Sequence, residues 1–160
     1  MARIELKTEI NAEKELVFDL ARSLDLHMLS TSQTDERIVG GKLGGLLELG
    51  ESVTWRAKHF GIYQNLEAKI TALEYPYFFK DEMVSGVFKE FQHEHTFKQT
   101  DYGTEMLDVF TFVSPMGAIG KLADSLIIKR YLTEFLQSRN QVIKKYAESE
   151  LWKTVLKKKI

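Results

Sequence analysis

The chain has 160 residues, enough for one domain with a real hydrophobic core. Its charges nearly balance at a net −1, so nothing global draws it to nucleic acid or to an anionic membrane, and it has no cysteine, which excludes disulfides, thiolate metal sites and a cysteine nucleophile. No apolar run approaches the ~18 residues of a membrane span; the charged, alternating start MARIELKTEI is unlike a signal peptide, and a cytoplasmic protein is expected.

Residues 2–10 alternate, with Ile4, Leu6, Thr8 and Ile10 on one side, and predict a first strand. Asn11 stands where it can cap a helix, although Lys14 occupies the place of the Glu or Gln of a capping box. Leu16, Val17, Leu20 and Leu24 predict a short amphipathic helix, and residues 25–30 a second helical turn, in which His27 is given no role. Residues 37–43 predict a strand broken at Gly40 and Gly41; the following Gly44, Gly45, Leu46, Leu47 and Leu49 predict a bent strand and loop, with a mobile mouth as the alternative. Residues 51–60 alternate cleanly, placing Val53, Trp55, Ala57 and His59 on one face. After a turn at Gly61 and Ile62, residues 63–73 return with Leu66, Ala68 and Ile70 inward, and Pro76 ends the strand. Residues 78–85 and 88–98 predict a hairpin over Gly86; Asp101, Tyr102 and Gly103 make a turn before a last strand at 104–113.

Residues 121–147 contain no Pro or Gly and predict a long helix of about seven turns, roughly 40 Å. Its apolar stripe changes face: Ile119, Leu122, Ala123 and Leu126 lie on one side, and Ile128, Leu132, Phe135, Val142, Ile143 and Tyr146 nearly opposite. A bend or a later helix start is expected, with a second burial surface such as a homodimer contact as the alternative. The division expected is a domain over residues 1–147 and a basic amphipathic extension over 148–160, where Leu151, Trp152, Val155 and Leu156 recur at helical spacing. The element order predicts an α+β fold: six or seven antiparallel strands, two short helices after the first, and one long C-terminal helix.

The segment FKEFQHEHTFK, residues 88–98, carries the chemistry. Phe91, His93, His95 and Phe97 share one strand face, and the aromatic residues turn that face inward. A three-residue loop at Gly86 sets His93 across from Asp81, and a tight turn at 101–103 sets His95 across from Asp108, so two pairs are expected, His93–Asp81 and His95–Asp108. A satisfied polar cluster is the first reading of these pairs; an anchor for a ligand carboxyl or hydroxyl, and general acid–base work by His93 or His95, are the functional ones. His-x-His beside a carboxylate is also a loose zinc-ligand pattern. No phosphate loop, dinucleotide fingerprint or serine nucleophile elbow is present.

The stretch ESVTWRAKHFG at residues 51–61, Asp81-Glu82-Met83-Val84 with Gly86 and Phe88, His93-Glu94-His95, Thr104 with Met106 and Asp108, and residues 117–130 together resemble the helix-grip, or START-like, superfamily, also called SRPBCC. The chain is most similar to a bacterial branch of small ligand-binding proteins, some labelled cell-division inhibitors. The resemblance implies a curved sheet wrapped around the terminal helix, with a hollow between them and neither cofactor nor metal. Walls drawn from the inward faces would include Trp55, His59, Leu66, Met83, Phe91 and His93. They would also include His95, Phe97, Asp108, Phe110, Phe112 and Leu126. The expected function is binding of a small, mainly apolar ligand, lipid-like or aromatic, without turnover. The alternatives are a cyclase, dehydratase or hydrolase of an aromatic or polyketide-like substrate, with His93, His95, Asp81 and Asp108 as candidate catalytic groups, and a partner-binding regulator linked to cell division. Neither nucleic acid nor stable membrane insertion is expected.

Overall fold

A computed structural model describes residues 1–114 and 124–156 of the chain. Among these residues, seven strands form one antiparallel sheet: β1 (Ala2–Ile10), β2 (Arg37–Gly41), β3 (Ser52–His59), β4 (Ile62–Glu74), β5 (Phe78–Ser85), β6 (Glu90–Thr100) and β7 (Gly103–Val113). Each strand from β2 to β7 pairs with its sequence neighbour, and β1 closes the order by lying beside β7. Two short helices, α1 (Lys14–Ala21) and α2 (Leu24–Ser30), fill the connection after β1. A long helix, α3 (Lys129–Ala147), packs across the sheet, and a single turn, α4 (Trp152–Val155), follows it. The sequence-based α+β architecture is the one observed.

Local chemistry explains most of the boundaries. β7 along its whole length, and β6 up to Lys98, alternate between buried and accessible residues, as strands with one packed face do. Phe60 and Gly61 join β3 to β4 at φ 51° and 78°, the two positive angles of a primed hairpin turn. Ser23 caps α2, its Oγ accepting from the Leu26 N–H at 3.2 Å. Asn11 does not cap α1: the helix begins at Lys14, Glu13 stands at the cap position without a side-chain bond, and the Asn11 N–H instead donates to Glu148 Oε1 at 2.8 Å. The loop after β2 is bent and fastened rather than loose. Leu24 N–H donates to Gly45 O, Leu47 N–H to Arg22 O, and Gly45 N–H to Asp25 Oδ2, at 2.9, 3.1 and 3.0 Å.

The expected shift in the helical stripe has a cause. Asp124–Ile128 is one π-helical segment, whose wider turn rotates the face presented by the residues after it. Leu126 and Ile127 on it are 63% and 61% exposed, whereas Leu136, Arg139, Asn140, Ile143 and Ala147 are buried along α3. Ile119, Leu122 and Ala123, the other half of the expected stripe, and Lys157, Lys158 and Lys159 of the basic end lie outside the described residues. Val155 in α4 is buried in the main core, with Trp152 and Leu156 packed against it.

Three apolar clusters occupy the inner face. One gathers Phe18, Phe79, Phe97, Met106 and Ile143 under α1, a second gathers Ile4, Ala68, Phe91, Phe110, Phe112 and Leu136, and a small third joins Leu24 of α2 to Val53 and Trp55. Among the described residues no helix is long and apolar enough to cross a membrane.

Candidate functional site

Between the clusters the sheet, α2 and α3 enclose a cavity of about 360 Å³. Trp55 and Ala57 of β3, Leu66 and Ala68 of β4, Phe91 of β6 and Phe110 of β7 supply its sheet wall, and Leu132, Phe135 and Leu136 of α3 close it from the other side. Two clusters of polar groups enter this mainly apolar lining.

The first lies on the inward face of β5–β7. His93, His95 and Asp81 line the cavity there, with Arg139 reaching in from α3. The backbone register is the expected one, Asp81 opposite His93 and Asp108 opposite His95. The side chains, however, cross over. His93 Nε2 meets Asp108 Oδ1 at 3.0 Å, and His95 Nε2 meets Asp81 Oδ1 at 3.2 Å. The expected pairs His93–Asp81 and His95–Asp108 are therefore replaced as hydrogen bonds by the two diagonals. Diagonal neighbours across antiparallel strands lie within reach of an imidazole, so register alone does not choose between partners. His95 Nδ1 also lies 2.8 Å from Asp108 Oδ1, but out of line for a ring N–H, so it has no hydrogen-bond partner among the described residues. The ion contact is real as proximity of charge; the hydrogen bond is not made.

Asp108 is the hub. Asn140 Nδ2 donates to its Oδ2 at 2.6 Å, and Arg139 Nη1 stands 3.7 Å from its Oδ1. Arg139 in turn donates to the Ala21 carbonyl at 2.9 Å, and Asn140 to Thr8 Oγ1 at 3.2 Å. Burial by itself would raise the carboxyl of Asp108, but its hydrogen bond with His93 and the close approach and charge of both imidazoles hold it well below the usual range. Asp81 is lowered too: burial is outweighed by the hydrogen bond from His95 and the charge of both rings. Burial and the neighbouring His95 push His93 down to about 4, against the pull of Asp108, so its ring is neutral at physiological pH. His95 goes the other way, because Asp108 and Asp81 together overcome its burial and favour the imidazolium. The two carboxylates are thus matched by Arg139 and His95, which is how charge survives in a dry interior.

The second polar place lies at the other end. His27 Nε2 and Glu36 Oε2 are 3.1 Å apart, and His59 Nδ1 shares a 2.7 Å hydrogen bond with the Tyr131 hydroxyl. All four residues line the cavity, and Trp55 packs on the His27 ring at 4.3 Å. Burial works to raise Glu36, but the charge and hydrogen bond of His27 prevail and keep it low. Burial lowers His59, with Glu36 pulling back only in part.

Of the residues expected on the wall, Trp55, His59, Leu66, Phe91, His93, His95 and Phe110 line the cavity. Five do not. Phe97 sits in the filled end against Phe18 and Phe79, Phe112 packs behind Phe110 and Phe88, and Met83 packs beside the second cluster. Asp108 stands behind both histidines, 1% exposed, and Leu126 points outward from the π segment. Sequence reasoning missed Arg139 and Asn140, which share the helical phase of Leu132, Leu136 and Ile143, and Tyr131, four residues before Phe135. It also missed His27, three residues after buried Leu24, and Glu36, for which the sequence carries no signal.

Comparison with known proteins bears on the fold. No family model matches the sequence, and no curated relative does. Solved structures match in shape. A protein from Thermus thermophilus superposes at TM-score 0.74 and 16% identity, over 91% of this chain and 97% of its own. Ara h 8.0201 follows the same path at TM-score 0.67 and 15% identity, over 91% and 97%. Ginseng major latex-like protein 151, from Panax ginseng, gives TM-score 0.67 and 16% identity, again over 91% and 97%. The chain has a helix-grip fold, as these structures do; at these identities the likeness speaks for the fold alone.

Proposed function

We propose that the protein binds a small, mainly apolar molecule in the internal cavity, without turnover. One observation carries this reading: a hollow of about 360 Å³, walled mainly by aromatic and aliphatic side chains, with two clusters of polar groups among them. That is the usual make-up of a small-molecule site, where apolar walls give affinity and a few polar groups fix orientation. The ligand presents a hydroxyl or carboxyl to the His93–Arg139 end and leaves its apolar body against Trp55, Phe110 and Phe135. Native mass spectrometry of freshly purified protein, followed by organic extraction, tests it. A co-purifying molecule that is lost when Ala57 is replaced by Phe supports the reading. Absence of any adduct, together with no saturable change in Trp55 fluorescence on titration with fatty acids or flavonoid-like aromatics, removes it.

An enzymatic reading has one specific observation behind it. His93 is neutral, and with Nε2 committed to Asp108 its Nδ1 is left as an acceptor on a cavity-lining ring. A cyclase, dehydratase or hydrolase would use that nitrogen as general base. His93→Ala separates the two: a binder loses affinity modestly, and an enzyme loses rate by about 10²–10⁴-fold.

A further inference from the structure

His93 and His95 are two apart on β6, so both rings leave the same face of the strand. Asp108 Oδ1 stands behind both, 3.0 Å from His93 Nε2 and 2.8 Å from His95 Nδ1. The ring atoms turned away from Asp108 are therefore His93 Nδ1 and His95 Nε2. The first has no hydrogen-bond partner among the described residues, and the second meets only Asp81. Asp81, His93 and His95 each offer one donor atom, and these atoms lie within 4.8 Å of one another.

We infer that Asp81, His93 and His95 form a binding site for a divalent first-row transition-metal ion, with Asp108 behind them as the carboxylate that orients His93 by a hydrogen bond and stands 2.8 Å from His95 Nδ1. A ligating histidine almost always gives its other ring nitrogen to a carboxylate or carbonyl, which fixes the ring and raises its basicity. Here one carboxylate stands behind two rings and is itself held by Asn140 at 2.6 Å. The rings are further held by packing, His95 stacked on Phe79 at 4.1 Å and His93 edge-on to Phe110 at 5.2 Å. Two imidazoles and one carboxylate suit zinc, iron(II), cobalt(II) or manganese(II), and three protein ligands leave coordination positions open. Those positions face the cavity, because all three ligand residues line it. With both imidazoles neutral, as ligation requires, Asp81 and Asp108 outweigh Arg139 by one negative charge, which favours a cation. The ion takes the place of the proton that His95 Nε2 shares with Asp81. The lone sequence pattern His-x-His is too loose to make this assignment; the converging carboxylate in front and the shared one behind are what the fold adds.

The test uses the full chain without an affinity tag, stripped with chelator and dialysed against Co²⁺ or Zn²⁺. About one Co²⁺ per chain is expected, with visible ligand-field bands of mixed nitrogen and oxygen coordination. Asp81→Ala and His95→Ala abolish binding, and Asp108→Asn weakens it about 10–100-fold while leaving all three ligands in place. Circular dichroism checks that each variant folds. Should the histidine variant fail to fold, zinc-edge X-ray absorption of the wild-type chain decides, since two imidazoles and a carboxylate at about 2.0–2.2 Å give a distinct scattering pattern. No metal uptake by the wild-type chain at micromolar Co²⁺, uptake unchanged in Asp81→Ala, or a spectrum without imidazole overturns the assignment. Small-molecule binding by the chelated protein is read separately, so failure of the metal site and failure of the ligand site are distinguishable.

Discussion

The two ends of the interior are lined by the same strands and the same kinds of residue, yet one is filled and the other hollow. At the filled end α1 drives Phe18 among Tyr75, Phe79 and Phe97, with ring centroids 5.1, 5.4 and 5.1 Å away. At the hollow end Phe91 and Phe110 stack on each other at 5.1 Å and line the cavity with Phe135 of α3, and no described residue fills the space as Phe18 does. Aromatic content therefore does not decide where the cavity lies. What decides it is which covering element inserts a side chain and which merely roofs the sheet.

Breaking the filled end should have the largest effect. Phe18 has no exposed surface, and Phe18→Ala is expected to lose about 3–5 kcal/mol by urea unfolding. A loss below about 1 kcal/mol would mean the two ends do not differ in packing. Adding volume should then have opposite signs at the two ends. Ala147 is buried in the filled cluster, and Ala147→Leu is expected to lose about 1–3 kcal/mol. Ala57 borders the cavity, and Ala57→Leu is expected to gain about 0.5–2 kcal/mol by the same measurement while weakening ligand binding. Equal signs for the pair would erase the contrast.

The smallest expected effect is on acid stability and is read at the second polar place. Glu36 and His59 both have folded pKa values below their ordinary ones, 4.5 and 6.5. The unfolded chain then takes up protons first, so their contribution is present above those ordinary values and is lost as pH falls through the folded ones. Thermal midpoints should decline first as pH drops below about 6.5, through His59 together with His93, and further below about 4.5, through Glu36 and then Asp81 and Asp108. Glu36→Gln should flatten the second part of that decline, and an unchanged slope would show that Glu36 is not held by His27.

The fold was legible because its signals are local. Alternation in β3, β6 and β7, the turn at Gly61 and the unbroken run of α3 each depend on near neighbours in sequence. Register was legible as well: Asp81 opposite His93 and Asp108 opposite His95 follow from loop length. The final pairing was not, since a choice between opposite and diagonal partners is settled by ring rotation and by Asn140 arriving from α3. Arg139 and Asn140 share the helical phase of Leu136 and Ile143, but their polarity carries no interior signal until Asp108 is seen beneath them. Phe97 and Phe112 read as wall for the same reason that Phe91 and Phe110 did, and only the position of α1 and of Phe88 tells them apart. Leu126 needed knowledge of a π-helical segment, which no periodicity of 3.6 reveals.

The position of β1 has a consequence for synthesis. Ala2 pairs with Phe112 and Ile10 with Thr104, so the first strand made must wait for the last. While a ribosome is still adding β2 to β6, β1 has an unsatisfied backbone edge and apolar residues without a neighbour. Only when β7 emerges does the sheet reach its far border, and α3, made later still, supplies the lid. Such long-range closure raises the mean sequence separation of contacts and slows folding.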